Sequence, residues 1–456
     1  MTSANEHYAI VGGGMLGLAL AWRLSGMGHR VTVLEAADHL GGLADAWKLG
    51  DITWDRHYHV TLLSDSYLRT ILKELDLDDQ MRWVQTRTGF YVDGRLYSMS
   101  SSLEFLKFPP LGLVDKFRLG WTIFKASRIK DWKSLEQIPV ADWLCRLSGR
   151  RTFEKIWLPL LKAKLGEAYK ETSAAFIWGT IARMYAARRT GLKKEMFGYL
   201  PGGYARLLER FEELLVERGV TLCTNSVVER VTRQEDGKLQ VMLNDGSHDS
   251  FDRVIITAPA NIAARIAPQL EPDERSRLNS VKYLGIVCAS LLTTKPLGPY
   301  YVTNITDDWV PYTGVIEMTA LVDREQFGGR SLIYLPKYAA ADDPVFAKSD
   351  DEIKQSCLAA LARMYPHFRP EDSVQSFRVS RVKQVFALST LGYSTRVPAV
   401  TTSVPGLSIV TSAQIVNGTL NVNETVRLAE ESLPLVTAPL PLVPHHETPR
   451  QLVTRP

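Results

Sequence analysis

Tyr8-Ala9-Ile10-Val11-Gly12-Gly13-Gly14-Met15-Leu16-Gly17 opens the stretch that decides the fold. Val31-Thr32-Val33-Leu34-Glu35 and Asp38-His39-Leu40-Gly41-Gly42 complete it. Ala9 to Val11 is a short apolar run and reads as a buried strand. Gly12, Gly14 and Gly17 follow at once in GxGxxG spacing. Leu16, Leu18, Leu20, Trp22 and Leu24 then fill a helix that ends near Gly26 and Gly28, and a second strand closes on Glu35. This is the order of a dinucleotide-binding βαβ unit. Gly12 permits the tight turn, Gly14 lets a pyrophosphate approach the backbone, and Gly17 lets the helix pack closely on the strand. The helix N-terminus offers N–H groups and partial positive charge to that pyrophosphate. Glu35, 18 residues after Gly17, is placed to accept from a ribose hydroxyl and to repel a 2′-phosphate.

The motif alone equally suits an NAD-binding unit. Asp38 to Gly42 points instead to FAD. With Glu35, three residues, His39, Leu40 and Gly41-Gly42, the chain resembles the FAD-dependent amine oxidase, protoporphyrinogen oxidase and UDP-galactopyranose mutase-like superfamily. That family carries Glu, three residues, Arg, one residue, Gly-Gly. His39 stands where the family has Arg and brings less charge near pH 7. The family's Gly-Pro-His beside the flavin ring corresponds to His57-Tyr58-His59, with His59 the matching residue. The resemblance further implies that Val228 contacts the adenine through its backbone. The strand Gly406 to Ser412 resembles the family's last FAD strand, with Thr411-Ser412 in place of Gly-Asp. The N-terminus of the last helix, around Asn417-Gly418 and Asn421-Val422, is implied to face the flavin N1–C2=O edge. The implied cofactor contacts are therefore Gly12, Gly14, Met15, Leu16, Gly17, Glu35, Ala36, His39, Gly41, Gly42, Leu43, His59, Val228, Ser412, Asn421 and Val422.

With 456 residues, 45% of them hydrophobic, the chain is long enough for two domains with cores of their own. No stretch approaches the ~20 apolar residues of a membrane span, and the short polar start, Met1 to His7, does not read as a signal peptide. Cys145, Cys223, Cys288 and Cys357 lie far apart without a CxxC and read as buried reduced thiols of a cytoplasmic protein. Residues 101–200 hold 19 Lys and Arg against 9 Asp and Glu, a net of +10, so the rest of the chain carries −6 of the total +4. That asymmetry suggests an anionic substrate or peripheral contact with acidic lipid at an inner membrane surface; a solvated helical face explains it equally. Nothing points to nucleic acid, and the sequence leaves the oligomeric state open.

Further along, Trp47 to Trp54 reads as strand and turn, Leu62 to Leu77 as a helix, and Phe90 to Tyr97 as a hairpin turning on Asp93-Gly94. His57 and His59 would share a face of an extended segment, but with no supporting Cys or carboxylate cluster beyond Asp55 they suggest no metal site. Residues 100–200 read as mainly helical. Leu103 to Trp132 interleaves aromatics with Lys and Arg, a pattern that suits a membrane interface or the core of a substrate domain. Trp157 to Gly166 resembles the mutase-like branch. Arg183, Arg188 and Arg189 are candidates for holding a phosphate or carboxylate. Tyr393 is a candidate pocket residue, and Lys282 lies near the place of an amine-oxidase flavin lysine but out of register. The tail after Leu433, rich in proline, reads as irregular.

The expected fold is α/β: a Rossmann-like FAD-binding domain (1–75, 200–265 and 395–435) with an inserted, largely helical α+β substrate domain (76–199 and 266–394) and a Pro-rich tail (436–456). The expected function is an FAD-dependent oxidoreductase of the oxidase, dehydrogenase or desaturase type. It would take a hydride to flavin N5 from a small organic substrate, with His59, Arg183 and Tyr393 as catalytic candidates. Two alternatives stand beside it. One is a mutase-like non-redox flavoenzyme acting on a sugar nucleotide; the other is an FAD-holding protein without catalysis.

Overall fold

The computed structural model describes residues 5–187, 196–416 and 420–440. The strand His7–Val11 lies at the centre of a five-stranded sheet and is buried on both faces from Tyr8 onward. Across the sheet the order is Thr221–Cys223, Arg30–Leu34, His7–Val11, Arg253–Ile256 and Leu407–Ile409, all parallel. Side chains alternate along each strand, so one residue set faces each side. Tyr8, Ile10, Val31, Val33 and Ile255 join a core with the helices Met15–Gly26, Gly203–Glu217 and Val422–Val436. Ala9, Val11, Leu34, Val254 and Ile256 face the other way. There they meet the antiparallel sheet Val228–Arg233, Leu239–Leu243 and His248–Phe251, and the helix Ala260–Ile266. Apolar runs without strict alternation are what a parallel sheet covered on both faces requires.

A second, seven-stranded mixed sheet runs in the order Val374–Ala387, Tyr283–Thr293, Ser331–Ala340, Gly314–Glu317, Val302–Ile305, Thr88–Val92 and Arg95–Ser98. The last two strands form the expected hairpin, with Asp93 and Gly94 both at positive φ as a tight two-residue turn needs. Val287, Ala289, Leu291, Ile333 and Leu335 pack against the helix Asp350–Met364. The opposite face, with Ile286, Cys288 and Tyr334, packs against the hairpin Ala46–Leu49 and Ile52–Asp55. The helices Leu113–Arg128, Val140–Ser148, Leu158–Leu165 and Ala174–Ala187 cap one end of this sheet, through Leu284, Phe386 and Leu388. The protein thus has the α/β architecture expected, with a helical layer and a large mixed sheet set beside the parallel sheet.

Two element boundaries differ from the sequence reading. The helix expected over Leu62 to Leu77 spans only Ser66–Glu74. Thr61–Leu62 pairs as a strand with Phe197–Gly198, and the Asp65 carboxylate accepts from the Leu62 N–H (2.8 Å), fixing a turn before the helix. The last helix runs past Leu433 to Val436 with Pro434 in its final turn. The buried Arg253 makes that extension stable: it donates to the carbonyls of Val436 (3.0 Å) and Ala438 (2.8 Å), which the helix end leaves free. All four cysteines are free, but Cys145 and Cys223 are only half-buried, because Cys223 closes the edge strand of the parallel sheet and Cys145 lies on the partly covered side of its helix. Among the described residues no helix is long and apolar enough to cross a membrane.

The tightest point is Gly17. A Cβ there would stand 2.0 Å from the Gly12 carbonyl oxygen and 3.2 Å from Ile10 Cγ2. Gly17→Ala is expected to cost about 3 kcal/mol, because backbone must move. Gly120→Ala, in a helix where the added carbon meets nothing within 4 Å, is expected to stabilise by ~0.5 kcal/mol. Urea unfolding midpoints of the two variants check both signs.

Candidate active site

The cradle starts where the first strand ends. Gly12 adopts φ +114°, and its N–H donates to the Leu34 carbonyl (2.8 Å). Thr257 Oγ1 lies against the Val11 and Gly12 carbonyls, where a side chain on Gly12 would otherwise sit. Gly14 is the N-cap of the helix Met15–Gly26, without a capping side chain and with no acidic residue in the first turn. Met15, Leu16 and Gly17 are buried, so the first N–H groups of this helix lack a side-chain acceptor in a covered place. A second glycine turn faces them. Gly41 donates to the Gly13 carbonyl (2.9 Å), and Gly41 and Gly42 sit at φ +114° and +59°. A Cβ on Gly42 would come within 3.2 Å of Gly14 Cα, whereas one on Gly14 would meet nothing closer than 3.9 Å.

The Glu35 carboxylate accepts from the N–H groups of Gly13 (2.7 Å) and Ala37 (2.9 Å) and keeps further lone pairs for hydroxyl donors. The next strand approaches here too: Ser226 N–H donates to the Glu35 carbonyl (2.8 Å), two residues before Val228, which is buried at the start of its strand. Ala36 is exposed at the rim and Leu43 half-buried. An uncapped, buried helix start, two facing glycine turns and a carboxylate at the second strand's end fit the pyrophosphate and ribose of a dinucleotide.

His39 is not left alone to replace an arginine. Its ring nitrogens meet Asp38 and Asp45, the latter at 2.9 Å, and Arg56 reaches both Asp45 and, at 3.4 Å, His39 Nε2. Burial opposes the His39 imidazolium, but the Asp45 and Asp38 carboxylates outweigh it and hold its pKa above the ordinary value. A guanidinium therefore stands beside the second glycine turn after all, supplied 17 residues later by the end of a hairpin. Arg56 is in plain view in the sequence, but only the pairing of Ala46–Leu49 with Ile52–Asp55 carries it back to His39.

Residues 55–60 join this cradle to the mixed sheet. Asp55 accepts from the Tyr204 N–H (2.7 Å) and lies 3.3 Å from His59 Nδ1, and the His59 ring packs against Tyr204 (centroids 4.7 Å apart). His57 points elsewhere: it is buried, donates to the Leu43 carbonyl and sits 3.1 Å from Ser380 Oγ on the strand Val374–Ala387. Burial pushes its pKa down to about 4, so it is a neutral tie between cradle and sheet at neutral pH. The two histidines do not converge, and among the described residues no three His, Cys, Asp or Glu side chains gather as metal ligands.

Between the histidines, Tyr58 meets Tyr338 hydroxyl to hydroxyl (2.8 Å). Above the Tyr338 ring, 3.2 Å from its centroid, sits Lys164 Nζ, with the Phe386 ring centroid at 5.3 Å. No carboxylate pairs with Lys164 among the described residues, and burial pushes its pKa down to about 7. Sequence reasoning missed this group. It lies in the stretch Trp157 to Gly166, but one lysine among three in 162–170 carries no local sign of being the enclosed one. Lys282, the lysine weighed instead, is paired with Glu171 at 2.6 Å.

The other candidates are engaged. Arg183 donates to both Asp65 oxygens (3.0 and 3.2 Å), and burial lifts the Asp65 pKa against the pull of Arg183. Tyr393 is buried and donates to the Ala413 carbonyl (2.8 Å), bracing the turn after the last parallel strand. Ser412 is half-buried in that turn. Asn421 caps the helix Val422–Val436 by accepting from Glu424 N–H (3.1 Å). Arg188, Arg189 and Asn417-Gly418 lie outside the described residues.

Comparison with known proteins places the chain in a family. The model of the flavin containing amine oxidoreductase family matches residues 16–408. The chain is 22% identical to 15-cis-phytoene desaturase of Capsicum annuum over 383 residues, 78% of this chain and 64% of that protein. It is 26% identical to coproporphyrinogen III oxidase of Mycobacterium tuberculosis over 373 residues, 76% of this chain and 79% of that one. A crystal structure from Exiguobacterium sp. 255-15, assigned as a protoporphyrinogen oxidase, superposes with a TM-score of 0.75 at 18% identity, covering 96% of this chain and 99% of that one.

The His39–Asp45–Arg56 cluster yields a test. Arg56→Leu leaves Asp45 buried beside a single imidazole and is expected to weaken binding of added FAD at least ~10-fold. The His39 pKa is raised, so its cation is fully present below about 6.5 and is lost as pH rises through the higher folded value. Affinity for FAD is expected to fall over that window in the wild type and to be flat in His39→Asn. Titration of apoprotein followed by flavin fluorescence measures both.

Proposed function

The chain belongs to the flavin containing amine oxidoreductase family, and from that premise we propose that it is an FAD-dependent oxidoreductase that takes a hydride from a small organic substrate. Gly12, Gly14, Met15, Leu16, Gly17, Gly41, Gly42 and Leu43 would hold the pyrophosphate side of FAD. Glu35, Ala36 and Val228 would serve its adenosine, and Ser412, Asn421 and Val422 its flavin end. When bound, the flavin supplies the two-electron acceptor, and the protein supplies position and field.

The observation that carries the reading is Lys164. An ammonium enclosed by Tyr338 and Phe386, without a carboxylate, is costly to keep charged, and its pKa falls to about 7. Removal of a hydride from a carbon bearing an amine or hydroxyl also requires loss of a proton. Lys164 Nζ, neutral in part at pH 7, accepts that proton. When protonated it attracts an anionic substrate group to the same aromatic enclosure. Tyr58 and Tyr338 form the floor that fixes this lysine. His59, held by Asp55, shapes the neighbouring wall. Arg183 and Tyr393 act as supports rather than as reacting groups, since Asp65 and the Ala413 carbonyl already engage them.

Substrate-dependent flavin bleaching under anaerobic stopped flow tests this reading. The reduction rate of the wild type is expected to rise with pH through an apparent pKa near 7, the value set by Lys164. Lys164→Met is expected to slow it ~10²–10³-fold and to flatten the profile, with FAD still bound. An unchanged rate and profile in that variant would remove Lys164 from the mechanism. Flavin reduced by NAD(P)H, together with tight sugar-nucleotide binding, would instead support the mutase reading.

A further inference from the structure

The helix Leu113–Arg128 is amphipathic in the wrong sense for a solvated protein. Its inward face buries Asp115, Lys116, Leu119, Thr122 and Ala126, with Lys116 Nζ donating to the Leu106 carbonyl (2.7 Å). Its outward face carries Leu113, Val114, Phe117, Trp121 and Phe124, exposed to 78% at Leu113, 75% at Phe117 and 49% at Trp121. Leu103 and Leu106, on the neighbouring short helix Ser102–Lys107, continue the patch. Thirteen large apolar side chains are exposed among the described residues, and seven of them lie in these 22 positions, 103 to 124. A surface helix normally buries such residues and turns its lysine and threonine out. A contiguous apolar patch of this kind marks an interaction surface.

Its surroundings say what covers it. Lys107, Arg118, Lys125, Arg128, Lys130 and Lys133 are exposed around the patch, while Asp131 is the one fully exposed acid between 103 and 133. Arg128 lies over the Phe124 ring (4.9 Å), and the Trp121 and Phe124 rings lie tilted at 32° with centroids 5.8 Å apart. The patch is carried mainly by one helix face, where the apolar side chains are flanked by Arg118, Lys125 and Arg128. A second copy of this chain would set one basic rim against another. A bilayer offers the opposite: an apolar layer deep enough for the ridge, anionic headgroups for the rim, and an interface that favours tryptophan.

We propose that the ridge Leu113–Phe124, flanked by Leu103 and Leu106, seats the protein on the surface of an anionic phospholipid bilayer. This inference is independent of the flavin reading. The helix lies in the interfacial plane with Phe117 and Trp121 inserted, and the basic rim selects anionic lipid.

The experiment is co-sedimentation of the full-length flavin-loaded protein with vesicles of phosphatidylcholine alone or with roughly 30% phosphatidylglycerol. Binding is expected only with the anionic vesicles, together with a blue shift of tryptophan emission, and weakening in ~0.5 M salt. The double variant Phe117→Glu/Trp121→Glu is expected to lose at least tenfold in partitioning. Lys125→Glu/Arg128→Glu is expected to lose several-fold, and both pairs should keep the wild-type flavin spectrum and melting temperature, because all four side chains are exposed. Failure of the wild type to bind, equal binding to neutral vesicles, or undiminished binding by Phe117→Glu/Trp121→Glu would overturn the proposal. So would sedimentation velocity showing a wild-type dimer that this variant converts to monomer, which would make the ridge a self-association surface.

Discussion

The contact between the Gly17 backbone and the Gly12 carbonyl is the constraint from which the site follows. With no Cβ between them, the helix Met15–Gly26 begins close against the end of the central strand. Its uncapped N-terminus is thereby aimed at the gap left by Gly41 and Gly42, whose positive φ values turn the chain back toward Gly14. Glu35 completes the arrangement by gripping the Gly13 N–H from the neighbouring strand. Each contact is backbone to backbone or carboxylate to backbone. The cradle is therefore rigid without a large side chain inside it, which leaves the space for a ligand.

Asp55 and Tyr58 transmit that rigidity to the mixed sheet. The Asp55 side chain holds the N-terminus of the helix Gly203–Glu217 and the His59 ring, while its backbone carbonyl accepts from the buried Tyr334 hydroxyl. Tyr58 meets Tyr338, and Tyr338 carries Lys164. His57, kept neutral by burial, ties Leu43 to Ser380. A six-residue segment thus fixes the distance between the cradle and the aromatic wall. A reaction that needs two groups held within ångströms depends on such a link.

The cradle was legible because its chemistry is local. Glycine spacing, the apolar run and the terminal acid all fall within 35 residues, and each carries one physical requirement. The cationic partner of His39 was not legible, because Arg56 reaches it through a hairpin. Lys164 was hidden for a deeper reason: its environment is made by Tyr338 and Phe386, about 170 and 220 residues away in the chain. The overlong helix expected from Leu62 failed where Asp65 closes a turn, since an apolar period does not reveal which backbone groups a carboxylate has taken. The aromatic and basic run from Leu103 was ambiguous in sequence between core and interface. Only burial separates Leu119 and Ala126, which face inward, from Phe117 and Trp121, which do not.

The parallel sheet also has a kinetic consequence. Its central strand pairs on one side with Arg30–Leu34, but on the other with Arg253–Ile256, which in turn needs Leu407–Ile409. During synthesis the first βαβ unit emerges with Tyr8, Ala9, Ile10 and Val11 open along one edge, and stays so for some 240 residues. Pairings this distant make folding slow and leave an apolar strand edge available for association with other chains. The nascent chain should therefore depend on chaperone shielding until the returning strands are made. Cofactor capture, which needs the finished cradle, would be a late event in its maturation rather than the nucleus of folding.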